Sequence, residues 1–455
     1  MRGTEYDRLV GRFYSLQKRG MKFSLDGTRT LLKTVGRPER HFPSVLVAGT
    51  NGKGSTCSLI ASILKAAGYN VGLYTSPHLI DFRERIRISG ECIARNEAGE
   101  LLRFLVPIAE KGGHSFFETI TALAFKHFKD TKVELVVAEV GLGGRLDSTN
   151  VLSPLVSIIT GIAVEHSSIL GTTLRAIAAE KAGIMRKGRP VVTGARGEAL
   201  EALAEISTSL ASPLSVVGRD IRLRSRFVSR AGTVFSATAS SARRSPTRRG
   251  PQPGNVHAAD GCEYKTRWTD LYLRLRGKRQ IRNAGCALLA CSHLENRGIT
   301  IGKEAIEAGL RDAEWPGRLE ERGWKPLVLL DVAHNPDAGN ALSEALATIY
   351  RGKNVVAVVG MVQDKDHKTF LKRLLPRVRH VVFTQASTPR ALPACELKSK
   401  GPSTFSKWSV KDSVPRALDE AFSLAGDDEL VCVTGSFYTV GEAMDCLGIG
   451  VRECI

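Results

Sequence analysis

The chain has 455 residues, 43% of them hydrophobic, which allows two or three domains with substantial cores. No run of 18 or more apolar residues excludes a membrane-spanning helix, and the polar N-terminus MRGTEYDRLVGRFYSL lacks the pattern of a secretory signal. A net charge of +19 and nine cysteines without a CxxC pair describe a basic protein with reduced, packed thiols, expected in the cytoplasm and not in a disulfide or zinc framework.

In chain order, short runs rich in Val, Leu and Ile and bounded by turn residues predict buried parallel strands. They are SVLVAG (44–49), VGLYTS (71–76), VELVVAEVG (133–141), PLVSIITGIA (154–163) and RPVVTG (189–194). Amphipathic stretches such as STCSLIASILKAAG (55–68) and FFETITALAFKHF (116–128) predict helices between them. The alternation argues for βαβ units and a doubly wound, mostly parallel sheet. A second, shorter series follows near residue 317: PLVLLDVA (326–333), NVVAVVGM (354–361), HVVFTQ (380–385) and ELVCVTGS (429–436). The boundary is placed near Pro316, giving a larger doubly wound α/β domain over 1–316 and a smaller Rossmann-like α/β domain over 317–455. Between Arg219 and Arg249 stand nine arginines and one acid, Asp220. On its Ser/Ala/Pro background, Ser240 to Gly254 reads as a flexible, solvated insertion. A nucleic-acid or acidic-partner arm is the alternative use of those charges.

The stretch GTNGKGST (49–56) departs from the Walker A spacing, because Gly54 separates Lys53 from Ser55. Its context is nevertheless that of a phosphate cradle. A strand precedes the glycines, a helix starts at once, Lys53 can reach outer phosphates, and Ser55 or Thr56 can hold Mg²⁺. Glu139 ends a buried strand where a Walker B acid would stand, and an ionised group there needs a cation or hydrogen bonds. Asp331 and His334 lie at a strand's carboxyl end, where ligands bind in open α/β sheets.

The loop resembles that of the Mur-ligase superfamily. The chain resembles specifically the dihydrofolate synthase / folylpolyglutamate synthase family, through LDGTRTLL (25–32), TSPHL (75–79), EVGLGGRLDSTN (139–150), LGTTLRAIAAEKAGI (170–184), WPGRLE (315–320), DVAHNPDA (331–338), GMVQDKD (360–366) and TGSFYTVGE (434–442). The resemblance runs from about Leu25 to Glu442, with the arginine-rich insertion as its main exception. It implies an ATP-dependent ligase that activates a carboxylate as an acyl phosphate and joins L-glutamate to dihydropteroate, to folates, or to both. It assigns Gly49, Thr50, Asn51, Gly52, Lys53, Gly54, Ser55, Thr56, Asn283, Arg318, Asp331 and His334 to ATP, with Lys53, Lys181, His334 and Asp331 as catalytic. Ser55, Glu139 and His166 would hold Mg²⁺, with K⁺ a candidate second cation and a carbamate on Lys181 supporting the site. Chemistry alone would not choose histidine for Mg²⁺, so His166 rests on the resemblance.

The pterin end would involve Asp26, Ser76, Pro77 and Arg83, with Arg83 and Arg85 facing substrate carboxylates or standing exposed. Two departures from the family are visible. Glu165 replaces the usual Asp before His166, and Arg279 and Gln280 stand where a His commonly precedes Asn283. The expected partners are small molecules, with no membrane or nucleic-acid role and a monomeric chain. Two rival readings make different demands on the chain. A peptidoglycan-type Mur ligase would carry a domain of roughly 100 residues before the loop, where 48 residues stand here. A P-loop NTPase binding nucleic acid through the arginine segment would show steeply salt-dependent binding.

Overall fold

In this computed structural model, residues 4–20, 22, 24–240 and 265–450 are described. Eight strands make the larger sheet: β1 (Ser44–Ala48), β2 (Val71–Tyr74), β3 (Ile86–Ile88), β4 (Glu91–Cys92), β5 (Leu135–Glu139), β6 (Val156–Ile159), β7 (Val191–Thr193) and β8 (Leu214–Val216). Their order is β4-β3-β2-β5-β1-β6-β7-β8. All neighbours from β2 to β8 are parallel, and β3 and β4 form an antiparallel edge.

The central strands read as unbroken apolar runs because both faces are covered. Val45 and Val47 pack on one side with the helices Lys53–Ala66, Lys278–Glu295 and Lys303–Asp312. Leu46 and Ala48 pack on the other with Arg95–Gly112 and Phe116–Asp130. The order places β1 between β5 and β6. The chain therefore leaves β1 in one direction and β6 in the other, and a crevice opens at their carboxyl ends.

A second sheet is a three-stranded antiparallel meander of β9 (Ile221–Val228), β10 (Thr233–Ser240) and β11 (Lys265–Leu273). Sequence reasoning missed it and saw only charge across 219–240. The alternation was present in IRLRSRFV, where Ile221 is buried between the sheet and the helix Lys278–Glu295 while Arg222 and Arg224 are exposed. The expected insertion from residue 241 to 254 lies outside the described residues.

The third sheet has six strands: β12 (Glu320–Arg322), β13 (Leu327–Asp331), β14 (Val355–Val359), β15 (His380–Phe383), β16 (Trp408–Val410) and β17 (Leu430–Thr434). Their order is β12-β13-β17-β14-β15-β16, parallel except for β12. Two apolar clusters cover its two faces. Here the chain passes over β17 between β13 and β14, so the loops after β13 and β14 stand on either side of β17 at the strands' carboxyl ends. Among the described residues, no helix is long and apolar enough to cross a membrane.

Candidate active site

The loop after β1 turns at Gly52, whose φ of 86° disfavours any side chain with a Cβ. The helix begins at Lys53, so its first amide groups face the turn. Gly54 explains the departure from the Walker A spacing: a Cβ there would stand 2.4 Å from the Trp315 ring. The loop is anchored to the strand beside it. Thr50 N–H donates to Gly161 O at 2.7 Å, and Thr160 Oγ1 donates to Asn51 O at 2.8 Å. Lys53 Nζ folds back onto Thr50 O at 3.2 Å, and Lys181 Nζ donates to Gly49 O at 2.9 Å.

Parallel pairing of β1 with β5 sets Val47 opposite Glu139, which brings this carboxylate beside the loop. Glu139 is 4% exposed, and its Oε2 accepts the Ser76 amide at 3.2 Å. Burial pushes its carboxyl above the usual range, while the charge of Lys53, the Ser76 amide, Arg318 and Arg85 oppose that rise. Burial, reinforced by the charge of Lys53, brings the Lys181 ammonium down to about 7. His166 adopts a left-handed φ of 53°, and burial followed by the Lys365 charge lowers its imidazole to about 4. Among the described residues the buried Thr56 hydroxyl has no hydrogen-bond partner.

The six-stranded sheet closes on these groups from the other side. Asp331 ends β13 and accepts the amides of Leu319 and Ala333, both at 2.9 Å. Arg318 lies over the Phe437 ring at 5.4 Å and is held within reach of Asp331 and Glu139. His334 Nδ1 donates to Val332 O at 2.8 Å, which turns Nε2 toward Glu165 Oε1 at 3.3 Å. The same Glu165 oxygen accepts Lys365 Nζ at 2.8 Å. Burial alone would raise the Glu165 carboxyl, but the hydrogen bond and charge of His334, with Lys365, hold it well below the usual range. The phosphate loop itself reaches across: Asn51 Nδ2 donates to Asp337 Oδ2 at 2.8 Å, and Asn335 Nδ2 donates to Asn51 Oδ1 at 3.1 Å.

Asn51, Gly52, Ser55, Asn283, Arg318 and Asp331 line one cleft of about 100 Å³ that opens to solvent. Larger cavities lie at Arg37–Pro43 and around Tyr6 and Arg95, away from the strand ends. Asn283 donates to Gln280 Oε1 at 2.8 Å, so the residue standing in the family's histidine region orients that amide.

The remaining sequence-selected residues are placed unequally. Ser76 and Pro77 lie in the loop after β2, against Glu139 through the Ser76 amide. Arg83 turns away, pairs with Asp81 at 3.0 Å and lines the cavity near Tyr6. Arg85 is buried beside His78, to whose Nδ1 its Nε donates at 2.9 Å, and is within electrostatic reach of Glu139. Asp26 is exposed and pairs loosely with Arg29 on its own helix, and the structure does not bring it to the cleft. Sequence reasoning did not single out Lys365, although its motif GMVQDKD was visible. It also missed Asp337 and the His78–Arg85 pair, whose signal is a contact between separate loops.

Among known families, the Mur ligase middle domain matches residues 47–291 and the Mur ligase glutamate ligase domain matches residues 317–437. A dihydrofolate synthase/folylpolyglutamate synthase of Bacillus subtilis is 34% identical over 96% of this chain and 98% of its own length. A probable bifunctional folylpolyglutamate synthase/dihydropteroate synthase of Haloferax volcanii is 35% identical over 96% of this chain, which spans 50% of that longer protein. The bifunctional folylpolyglutamate synthase/dihydrofolate synthase of Yersinia pestis, solved with AMPPNP and a Mn ion, superposes with a TM-score of 0.79 at 30% identity, covering 98% of both chains. The order of motifs, the cleft at the strand ends and these likenesses agree: the chain belongs to the dihydrofolate synthase/folylpolyglutamate synthase family of Mur ligases.

Proposed function

We propose that this chain is an ATP-dependent ligase that joins the amine of L-glutamate to the carboxylate of dihydropteroate, or to the γ-carboxylate of a folate. The observation that carries the reading is one cleft where the glycine loop (Asn51, Gly52, Ser55) meets Arg318 and Asp331 from the other sheet, with Lys53 and Arg318 both within electrostatic reach of the buried Glu139. The two closing units are taken as residues 1–316 and 317–455.

A carboxylate is anionic and has no leaving group, so an amine does not displace it. Transfer of the ATP γ-phosphoryl group to that carboxylate gives an acyl phosphate. Attack by the glutamate amine then forms the amide and releases phosphate. The chain's task is to neutralise phosphate charge, align the acceptor and exclude water. Lys53 exchanges the Thr50 carbonyl for phosphate oxygens, and the amides of Gly52 to Thr56 hold the same anion. Arg318 presents a planar fork to the phosphates from the opposite wall.

A divalent cation fits the donor set. Glu139 is a buried carboxylate raised by its burial, Thr56 carries an orphaned hydroxyl beside Ser55, and His166 is held neutral. Among the described residues no group of three His, Cys, Asp or Glu side chains forms a metal cage. That suits Mg²⁺, which keeps waters and shares substrate phosphates. When bound it supplies positive charge to the phosphoryl oxygens. Lys181, brought near neutrality, presents the free amine that CO₂ would need to form the carbamate implied by the family likeness.

Incubation with ATP, Mg²⁺ and L-glutamate, adding dihydropteroate or tetrahydrofolate in turn, tests the reading by product mass. One added glutamyl residue with either acceptor supports it, and ATP loss with no glutamylated product refutes it.

A further inference from the structure

The β9–β11 meander has two unlike faces. Inward, Ile221, Phe235, Ala237, Ala239, Trp268 and Leu271 are buried under the helix Lys278–Glu295. Outward, the cross-strand register sets Arg222 opposite Thr238 and Thr238 opposite Arg267, with Arg224 opposite Ser236. Further along the same face Val234 lies between Phe227 and Tyr272. Phe227 is 61% exposed and Tyr272 36%. Among the described residues Arg222, Arg224 and Arg267 have no ion-pair partner, while Asp270 on the same sheet is taken by Arg226. Sequence reasoning placed its flexible, solvated insertion at Ser240 to Gly254, and these three arginines lie on strands to either side of it.

We propose that this outer face binds single-stranded nucleic acid. Two residues along a strand separate Arg222 from Arg224 by about 7 Å, and two strand spacings separate Arg222 from Arg267 by about 10 Å. Three guanidinium groups at that spacing present planar donors to successive phosphates. The two rings, also flanking a central strand, supply apolar planes on which unpaired bases stack. A duplex would satisfy the arginines but offers no base faces to Phe227 and Tyr272. An acidic peptide would likewise leave the rings unused. The surface is separate from the cleft residues, so it works independently of the ligase reaction.

Fluorescence anisotropy with a labelled oligothymidylate of about 12 nucleotides, titrated across salt concentrations, tests this with the intact protein. Single strands should bind more tightly than a duplex of equal length or a polyglutamate peptide. The R222Q/R224Q/R267Q variant should lower the log–log salt slope by about 2, at roughly 0.7 per phosphate lost. The F227A/Y272A variant should weaken binding roughly tenfold or more with the slope unchanged. ATP turnover should be unaltered in both, which also shows that they fold. The proposal is overturned by absence of binding at about 50 mM salt, by equal binding of duplex or polyglutamate, or by variants that bind like the parent.

Discussion

Replacing Gly54 with alanine tests why this phosphate loop inserts a glycine after its lysine. The new Cβ would stand 2.4 Å from Trp315 Cζ2, 2.7 Å from Cε2 and 3.0 Å from Nε1. Non-bonded carbons settle at about 3.5–4.0 Å, so the indole has to retreat by about 1 Å. That ring is held under the Arg87 guanidinium at 5.5 Å, which resists the movement. Overpacking of this kind costs about 1–3 kcal/mol. Alanine in place of glycine within a helix returns about 1 kcal/mol. The net loss of stability is therefore between about zero and 2 kcal/mol, small enough to leave the protein folded.

Catalysis should suffer more, because Trp315 is followed within three residues by Arg318 at the cleft. A displacement of about 1 Å at a positioned group can lower kcat about 100-fold. Denaturant unfolding and steady-state ATP turnover of G54A, W315A and the double variant measure both effects. W315A removes the obstacle, so the double variant should be more active than the sum of the single losses allows, with coupling of about 1 kcal/mol or more. A G54A protein with parental kcat, or strictly additive losses, would refute the steric reading.

Lys53→Ala should lower kcat about 10²–10³-fold with its unfolding transition unchanged, since its charge acts on developing phosphoryl charge; unfolding curves alongside turnover check this. Lys181→Met should stabilise the protein while abolishing turnover. Because the folded-state pKa is depressed to about 7 from an ordinary 10.5, the unfolded chain binds more protons between those values. The parent's stability therefore rises across that window, and the variant's gain, a few kcal/mol at about one pKa unit per 1.4 kcal/mol, is full below pH 7 and gone near pH 10.5. Unfolding in CO₂-free buffers across pH reads this; a pH-independent difference contradicts it. Lys181→Ala turnover should recover partly with added short carboxylates, and no recovery counts against a carbamate. Glu165→Gln leaves the buried Lys365 ammonium without its carboxylate partner and should cost about 3–5 kcal/mol in denaturant unfolding; parental stability would show that Lys365 finds another acceptor.

The parallel sheets were legible because both faces of each are covered, so apolar runs such as VELVV and VLLD stand out without alternation. The glycine loop was legible from strand, turn and helix order alone. The meander was not, since Arg222, Arg224 and Arg226 alternate with Ile221, Leu223 and Ser225, and that period-two spacing is overlooked when charge is given more weight. Arg83 and Arg85 are two apart in a short 3-10 helix, and only the fold decides which turns to Asp81 and which to His78. The Glu165 contacts with Lys365 and His334 join residues 200 and 169 positions apart, a proximity with no periodic signature.

The meander is tied to the six-stranded sheet through one of its ends. At its β9–β10 turn, Arg230 pairs with Glu321 at 3.0 Å, and Tyr350 donates to the same carboxylate at 2.8 Å. At the other end the chain leaves β10 at Ser240 and re-enters β11 at Lys265, which are partners in the ladder. Sequence added between those two residues starts and finishes at neighbouring points, so it does not alter the spacing of the two strands it joins. A reporter peptide or affinity handle spliced there would report on the enzyme without steering it, which makes this junction the natural place to tag the protein for single-molecule work.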